Sequence, residues 1–226
     1  MTTPLLLIGY GRMGRLVEAL APEYGFEVAG IVDSRAAGSP ERWPAAPMAI
    51  DFSIGEAVRA NLTAMAGRRT SVVVGTTGWQ EHEPALRREM DASDIGVVAA
   101  PNFAIGVNLF TALVERAAEL WKGQPAFGAW LHELHHAAKR DAPSGTALAL
   151  EAAMRNRGYG HRIDVTATRA GSIPGTHTIG FDAAAETITL THTTRDRAVF
   201  ARGALQAAQW LQGRRGWFTM RDVLGI

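Results

Sequence analysis

Four apolar residues in a row, Leu5-Leu6-Leu7-Ile8, run into Arg12–Leu20, where Met13, Leu16, Val17 and Leu20 fall on one helical face. The first pattern predicts a strand buried on both faces, and the second an amphipathic helix behind it. The alternation then repeats. Phe26–Val32 reads as a second strand ending at Asp33, Met48–Phe52 as a third with a helix over Ala57–Ala66, and Ser71–Val74 as a fourth. A polar helix over Glu81–Asp91 and a strand over Ile95–Ala99 complete the series. Buried strands alternating with helices predict an α/β fold on a doubly wound parallel sheet of Rossmann type.

After Pro101 the pattern changes. Gly106–Trp121 carries Val107, Phe110, Leu113, Val114, Ala117 and Leu120 at helical spacing. Segments of strand character follow at Phe127–His136, Arg162–Arg169, His177–Phe181 and Thr187–Thr193, interrupted by one helix over Thr146–Asn156. In 187–193 apolar and polar residues alternate with period two, as a half-buried strand requires. This predicts a smaller α+β domain with a mixed or mostly antiparallel sheet, after which Gly203–Gln212 returns to helix. Ala36–Pro47, with three prolines, is the most loop-like stretch.

Composition changes this picture little. The 226 residues are 47% hydrophobic and 20% charged with a formal net charge of +1, ordinary for a soluble globular chain. No basic run marks a nucleic-acid surface. Absent cysteines exclude disulfides and cysteine-liganded metals and fit a reducing compartment. The N-terminal apolar run is too short for a signal-peptide core or a membrane span, so the expectation is a cytoplasmic protein with neither membrane nor nucleic acid as partner.

Gly9-Tyr10-Gly11-Arg12-Met13-Gly14 is a G-x-G-x-x-G run placed directly after a strand and opening a helix. That context lets the backbone turn tightly and approach a pyrophosphate at the helix N-terminus. Asp33, 24 positions after Gly9, ends the second strand where a carboxylate accepts from a ribose 2′-hydroxyl. A carboxylate there repels a 2′-phosphate and favours NADH, while nearby Arg12 and Arg35 leave NADPH open. Gly75-Thr76-Thr77-Gly78 also follows a strand at its carboxyl end, where such sheets bind ligands; a hydroxyl-rich turn accounts for it equally well.

Residues 132–136, His-Glu-Leu-His-His, match the H-E-x-x-H pattern of zinc proteases. That pattern works only on a helix, where residues i and i+4 share a face. Here the segment alternates, with Trp130, His132 and Leu134 on one side and Leu131, Glu133 and His135 on the other. On a strand His132 and His136 lie about 13 Å apart, taking ~3.3 Å per residue, and no metal site is expected. Further on, Asp141-Ala142-Pro143-Ser144 reads as a loop ending in an N-cap at Ser144. The backbone N–H groups of Gly145 and Thr146 then offer an anion site close to His135, His136 and Lys139. This suits a small carboxylate substrate and a side-chain proton.

With these residues in hand, the chain resembles the 4-hydroxy-tetrahydrodipicolinate reductase (dihydrodipicolinate reductase) family of lysine and diaminopimelate biosynthesis. The carrying stretches are GYGRMG (9–14), DFS (51–53), GTTGW (75–79), APNFAIGVNL (100–109), ELHHAAKRDAPSGTAL (133–148), RAGSIPGTHTIGF (169–181) and GALQAAQWL (203–211). The resemblance implies a dinucleotide-binding domain over 1–102 and 203–226, and a substrate-binding and tetramerisation domain over 103–202. It implies His135 as acid/base and Lys139 as proton donor, with His136, Gly145 and Thr146 contacting a small dicarboxylate. It places Gly9, Tyr10, Gly11, Arg12, Met13, Asp33, Gly75, Thr76, Thr77, Ala100, Pro101, Asn102 and Phe103 around NAD(P)H, in a homotetramer. The chain departs from the pattern in a glycine loop one residue shorter, in Ser34 after Asp33, and in Gly175-Thr176-His177, where a glutamate often precedes the histidine. Two other readings are a dehydrogenase of an amino-acid semialdehyde and a non-catalytic redox-sensing regulator. The 135–146 block speaks against the first, and the absence of a basic helix-turn-helix segment against the second.

Overall fold

The computed structural model describes residues 2–226. In chain order the elements begin with β1 (Thr3–Ile8), α1 (Arg12–Leu20), β2 (Phe26–Val32), β3 (Met48–Asp51), α2 (Val58–Gly67), β4 (Ser71–Val74), α3 (Glu83–Asp91) and β5 (Gly96–Ala99). They continue as α4 (Ile105–Trp121), β6 (Gly128–His135), α5 (Gly145–Asn156), β7 (Ile163–Arg169), β8 (Thr176–Ala183), β9 (Glu186–Thr193), α6 (Ala198–Leu211), β10 (Gly216–Phe218) and α7 (Met220–Leu224). Two compact units result: one runs up to Ile105 and resumes at Ala198–Ile226, and the other spans Gly106–Arg197.

The first unit is a six-stranded sheet in the order β10-β5-β4-β3-β1-β2, with every described pairing parallel. Successive side chains of each strand feed opposite cores. Leu5, Leu7, Ile50, Val73 and Val98 pack with α1, α6 and α7, whereas Leu6, Ile8, Ala49, Val72, Val74 and Val97 pack with α2 and α3. Fully burying one such side chain contributes about 1.5–3 kcal/mol. Helix α6 approaches the chain at Phe103 so closely that a Cβ on Gly203 would stand 1.7 Å from the Phe103 carbonyl oxygen.

Several boundaries differ from the sequence expectation. The third strand ends at Asp51, because the Asp51 carboxylate takes the Ser53 N–H at 2.8 Å and turns the chain. The polar helix opens as a 3-10 turn at Gln80–His82, with Pro84 in the first turn of α3. Helix α6 begins at Ala198 rather than Gly203, since Ala201 already continues its buried stripe. Strand β10 and helix α7 were not anticipated; the strand is three residues long, and α7 starts on a Thr219/Asp222 capping box.

The second unit is a four-stranded mixed sheet, β7-β6-β8-β9, with β6 parallel to β7 and the other pairs antiparallel. Leu131, Ile179 and Phe181 face Phe110, Val114 and Ala118 of α4 and Leu150 and Met154 of α5. On the opposite face Trp130 lies across Gly180, and threonines pair across strands at Thr176–Thr193 and Thr178–Thr191. No helix of the described residues is long and apolar enough to cross a membrane.

Candidate active site

In the first unit the carboxyl ends of β2, β1, β3, β4 and β5 lie side by side, carrying Asp33, Gly9, Phe52, Gly75 and Ala100 in that order. Four strand spacings of about 4.8 Å give a ledge roughly 19 Å long, enough for an extended dinucleotide. Gly9 has φ +89°, and a Cβ there would stand 2.4 Å from the Phe52 carbonyl oxygen; a Cβ on Gly14 would stand 2.2 Å from the Gly9 oxygen. Gly11, by contrast, has nothing within 4 Å of a Cβ. Two glycines therefore serve the turn, and the middle one leaves open space at the N-terminus of α1. This is the cradle that a pyrophosphate fits.

A cleft of about 670 Å³ opens beside it, lined in part by Gly9, Tyr10, Gly11, Arg15, Asp33 and Ser53. Asp33 Oδ1 accepts the backbone N–H groups of Arg35 at 2.9 Å and Ala36 at 3.1 Å, which fixes the carboxylate at the strand end. Arg15 lines this cleft, its guanidinium 5.4 Å from the Tyr10 ring centre, whereas the spacing points to Arg12 and Arg35. The Met13 side chain packs against the core, and Phe103 is 2% exposed and packs edge-on to Phe52, so only their main chains are free for a ligand. Thr76 is likewise committed, its hydroxyl donating to buried Asp51 at 2.9 Å. Asp51 also takes Asn61 Nδ2 at 2.9 Å, so one carboxylate ties the end of β3 to the turn after β4 and to α2. Thr77 is exposed, Ala100 is buried, and Asn102 Oδ1 accepts the Ala104 N–H at 2.9 Å ahead of α4.

In the second unit β6 is a strand, and the H-E-x-x-H match fails as the alternation predicts. His132 projects from the face of Trp130 and Leu134 and pairs with Thr168 at 2.9 Å. Glu133 and His135 point to the helix side. Ser144 caps α5, its hydroxyl oxygen accepting the Ala147 N–H at 3.2 Å. Lys139 Nζ meets both oxygens of Asp141 at 2.7 and 2.8 Å, and the Asp141 carboxylate also takes the Gly145 N–H. A carboxylate thus already stands on the Gly145 N–H at the α5 N-terminus. Thr146, the second residue of α5, and His136, directly after β6, are half-buried.

Three residues that sequence reasoning did not single out hold this site together. Glu133, fully buried, accepts the Ser144 N–H at 2.8 Å and Arg169 Nη2 at 2.6 Å on one oxygen. Its other oxygen stands 2.6 Å from His135 Nδ1 and 3.7 Å from His177 Nε2. Arg169 reaches the Asp141 carbonyl at 2.6 Å as well, and His177 Nε2 lies 3.1 Å from the Ser144 hydroxyl. Burial pushes the Glu133 carboxyl up, but hydrogen bonds from Ser144 and Arg169 outweigh it and hold the group below the usual carboxylate range. Burial, helped by Lys139 and Arg169, outweighs the Glu133 carboxylate and holds the His135 imidazole below its ordinary value. Burial likewise pushes His177 down to about 4. Both imidazoles are thereby biased toward the neutral form.

Glu133, His135 and His177 are of metal-ligating type, with ligand atoms within 4.8 Å of one another. The 2.6 Å Glu133–His135 separation is nonetheless too short for two ligands at about 2.0–2.1 Å on one tetrahedral ion, which stand roughly 3.3 Å apart. The Arg169 cation also occupies the same carboxylate. As placed, the three side chains form a close carboxylate–imidazole cluster rather than a spread ligand set.

Comparison with known proteins gives a consistent answer. Residues 3–103 match the model of the N-terminal part of dihydrodipicolinate reductase, and residues 106–224 that of its C-terminal part. A 4-hydroxy-tetrahydrodipicolinate reductase of Christiangramia forsetii is 33% identical over 97% of both chains. One from Acidiphilium cryptum is 39% identical over 96% of this chain and 94% of its own. Among solved structures, a dipicolinate-bound dihydrodipicolinate reductase from Paenisporosarcina sp. TG-14 superposes with a TM-score of 0.78 at 19% identity, covering 97% of this chain and 98% of that one. An aspartate semialdehyde dehydrogenase from Vibrio cholerae reaches 0.55 at 12% identity, over 94% and 99%, so the overall fold is shared by enzymes of different substrates.

Proposed function

The chain belongs to the dihydrodipicolinate reductase family, and from that premise we propose how its residues carry out the NAD(P)H-dependent reduction of 4-hydroxy-tetrahydrodipicolinate to tetrahydrodipicolinate in lysine and diaminopimelate biosynthesis. The observation that carries the assignment of roles is the convergence of His135, Lys139 and the capped N-terminus of α5 within one stretch of β6 and its following loop. Bound NAD(P)H supplies the hydride. The Lys139 ammonium, oriented by Asp141, delivers the proton and stabilises negative charge as it develops. His135, whose burial disfavours the imidazolium, exchanges protons as the base. His136, Gly145 and Thr146 hold a substrate carboxylate at the helix N-terminus, where it takes over the Gly145 N–H from Asp141.

For the cofactor, Gly9–Met13, Gly75–Thr77 and Ala100–Phe103 form the shell, Arg12, Met13, Thr76 and Phe103 through their main chains. Asp33 receives the adenosine ribose and sets a preference for NADH. Asp33→Ala then raises the NADPH-to-NADH ratio of kcat/KM by about 10-fold or more, as loss of one charge-assisted bond of ~1.5–3 kcal/mol requires. Steady-state assays with both cofactors test this; an unchanged ratio removes Asp33 from cofactor choice.

The assembly we assign is a homotetramer built on the second unit. The outer face of its sheet, with Trp130, Leu134 and the threonine ladders, has no helix of its own unit over it. Leu113, Leu120 and Ile188 are 59%, 54% and 36% exposed, an apolar set that calls for a partner. Light scattering should return four times the 24.2 kDa chain mass, and a monomer in dilute solution contradicts the assignment.

A further inference from the structure

Glu133 lies on the inward face of β6 between Leu131 and His135, a position where the strand otherwise buries apolar side chains. A carboxylate with no exposed surface costs several kcal/mol unless each oxygen is paired. One oxygen is paired twice, by the Ser144 N–H that opens α5 and by Arg169 from β7. The other is directed at a single close atom, His135 Nδ1 at 2.6 Å, in a contact whose angle departs from an ideal hydrogen bond. A buried glutamate needed only to neutralise Arg169 would not require an imidazole on its second oxygen.

We propose that Glu133 is the positioning residue of the acid/base histidine. It holds the proton of His135 on Nδ1, leaves Nε2 as the exchanging nitrogen, and ties that imidazole to the N-terminus of α5. The inference rests on the reading of His135 as acid/base. The register explains why this strand carries it, since residues i and i+2 share a face and His135 stands opposite Arg169 across β6 and β7. Which ring nitrogen carries the proton is set by what the other nitrogen meets, and a carboxylate is the partner that fixes it most firmly. Gly175 completes the pocket: its φ is +150°, and a Cβ there would stand 3.0 Å from His135 Nε2, so a side chain at 175 would crowd the working nitrogen.

The groups that face His135 are Glu133 on its own strand, Lys139 with Asp141 in the loop before α5, Arg169 from β7 and His177 from β8, with His192 of β9 beyond His177. Of these only Glu133 favours the imidazolium at close range. Removing its charge therefore moves protonation of His135, and the limb of the kcat–pH profile it controls, to lower pH.

The test is Glu133→Gln in the full-length enzyme. The amide keeps an oxygen toward Ser144 and Arg169 and turns an NH₂ toward Nδ1, which forces the opposite tautomer. We expect kcat to fall about 10- to 100-fold, KM for the dicarboxylate and NADH affinity to change less than about 3-fold, and the limb to move to lower pH. Glu133→Asp, which keeps the charge, should restore most of the limb's position. If the uncompensated Arg169 unfolds the glutamine variant, Glu133→Gln/Arg169→Met removes both charges and carries the same expectation. A folded variant whose limb stays at the wild-type pH overturns the proposal and leaves Glu133 a purely structural role. His135→Gln separates the two levels. If it retains kcat and limb, the acid/base reading itself fails; if it loses the limb while Glu133→Gln keeps it, only the positioning role fails.

Discussion

Lys139→Ala should lower kcat by about 10²–10⁴-fold while NADH binds with unchanged affinity, because the variant loses the proton source and leaves the first unit untouched. The side chain is well placed for that role. It is 22% exposed and held on both oxygens of Asp141 rather than free in solvent. Its removal has a second consequence. The Asp141 carboxylate stays on the Gly145 N–H without its counter-cation, and like charge then opposes an incoming substrate carboxylate. KM for the dicarboxylate should rise together with the loss of kcat. Lys139→Arg separates these terms, since it keeps the cation but gives up a proton poorly, and it should restore KM more than kcat. Steady-state kinetics and an NADH fluorescence titration measure all three quantities. Near-normal turnover in Lys139→Ala would show that the proton comes from elsewhere.

Gly9→Ala and Gly11→Ala should fail in different ways, though both lie in one motif. At Gly9 the methyl meets the Phe52 carbonyl oxygen at 2.4 Å, its carbon at 2.6 Å and the Ser53 nitrogen at 2.7 Å, all main-chain atoms that cannot rotate away. The residue also has φ +89°, which costs a side chain of order 1–3 kcal/mol. The turn has to move, and with it the Gly9 N–H bond to the Val32 carbonyl at 2.9 Å. Thermal unfolding should show a large loss of stability and the folded remainder little NADH binding. Gly11→Ala meets nothing in the protein and has ordinary φ, so its melting temperature should match wild type while NADH affinity falls about 10-fold or more. Equal affinities for Gly11→Ala and wild type would mean that the open space at this turn does not receive the pyrophosphate.

Much of this was legible in the residues because the signals are local. Strands such as Ser71–Val74 are buried on both sides, so their apolar runs report them directly, and alternation in 128–135 exposed the false zinc match at His132 and His136. What escaped depends on distant segments. Glu133 could be placed on the same face as His135, but its importance comes from Arg169, 36 residues on, and from the backbone of Ser144. The Lys139–Asp141 pair is close in sequence, yet only the loop conformation brings the carboxylate to Gly145. Arg15 rather than Arg12 lines the cleft beside the glycine turn, a difference of one helical turn that the spacing of the two arginines does not reveal. Strand β10 is too short to produce a periodic signal and exists because β5 offers it an edge.

The central claim is that this chain reduces the product of dihydrodipicolinate synthase with a nicotinamide cofactor, using the β6–α5 site for the proton. The most direct measurement follows NADH and NADPH absorbance after fresh synthase product is added to the purified protein. The account predicts rapid oxidation that depends on both the synthase product and Lys139. A folded protein that binds NADH yet oxidises neither cofactor would contradict it.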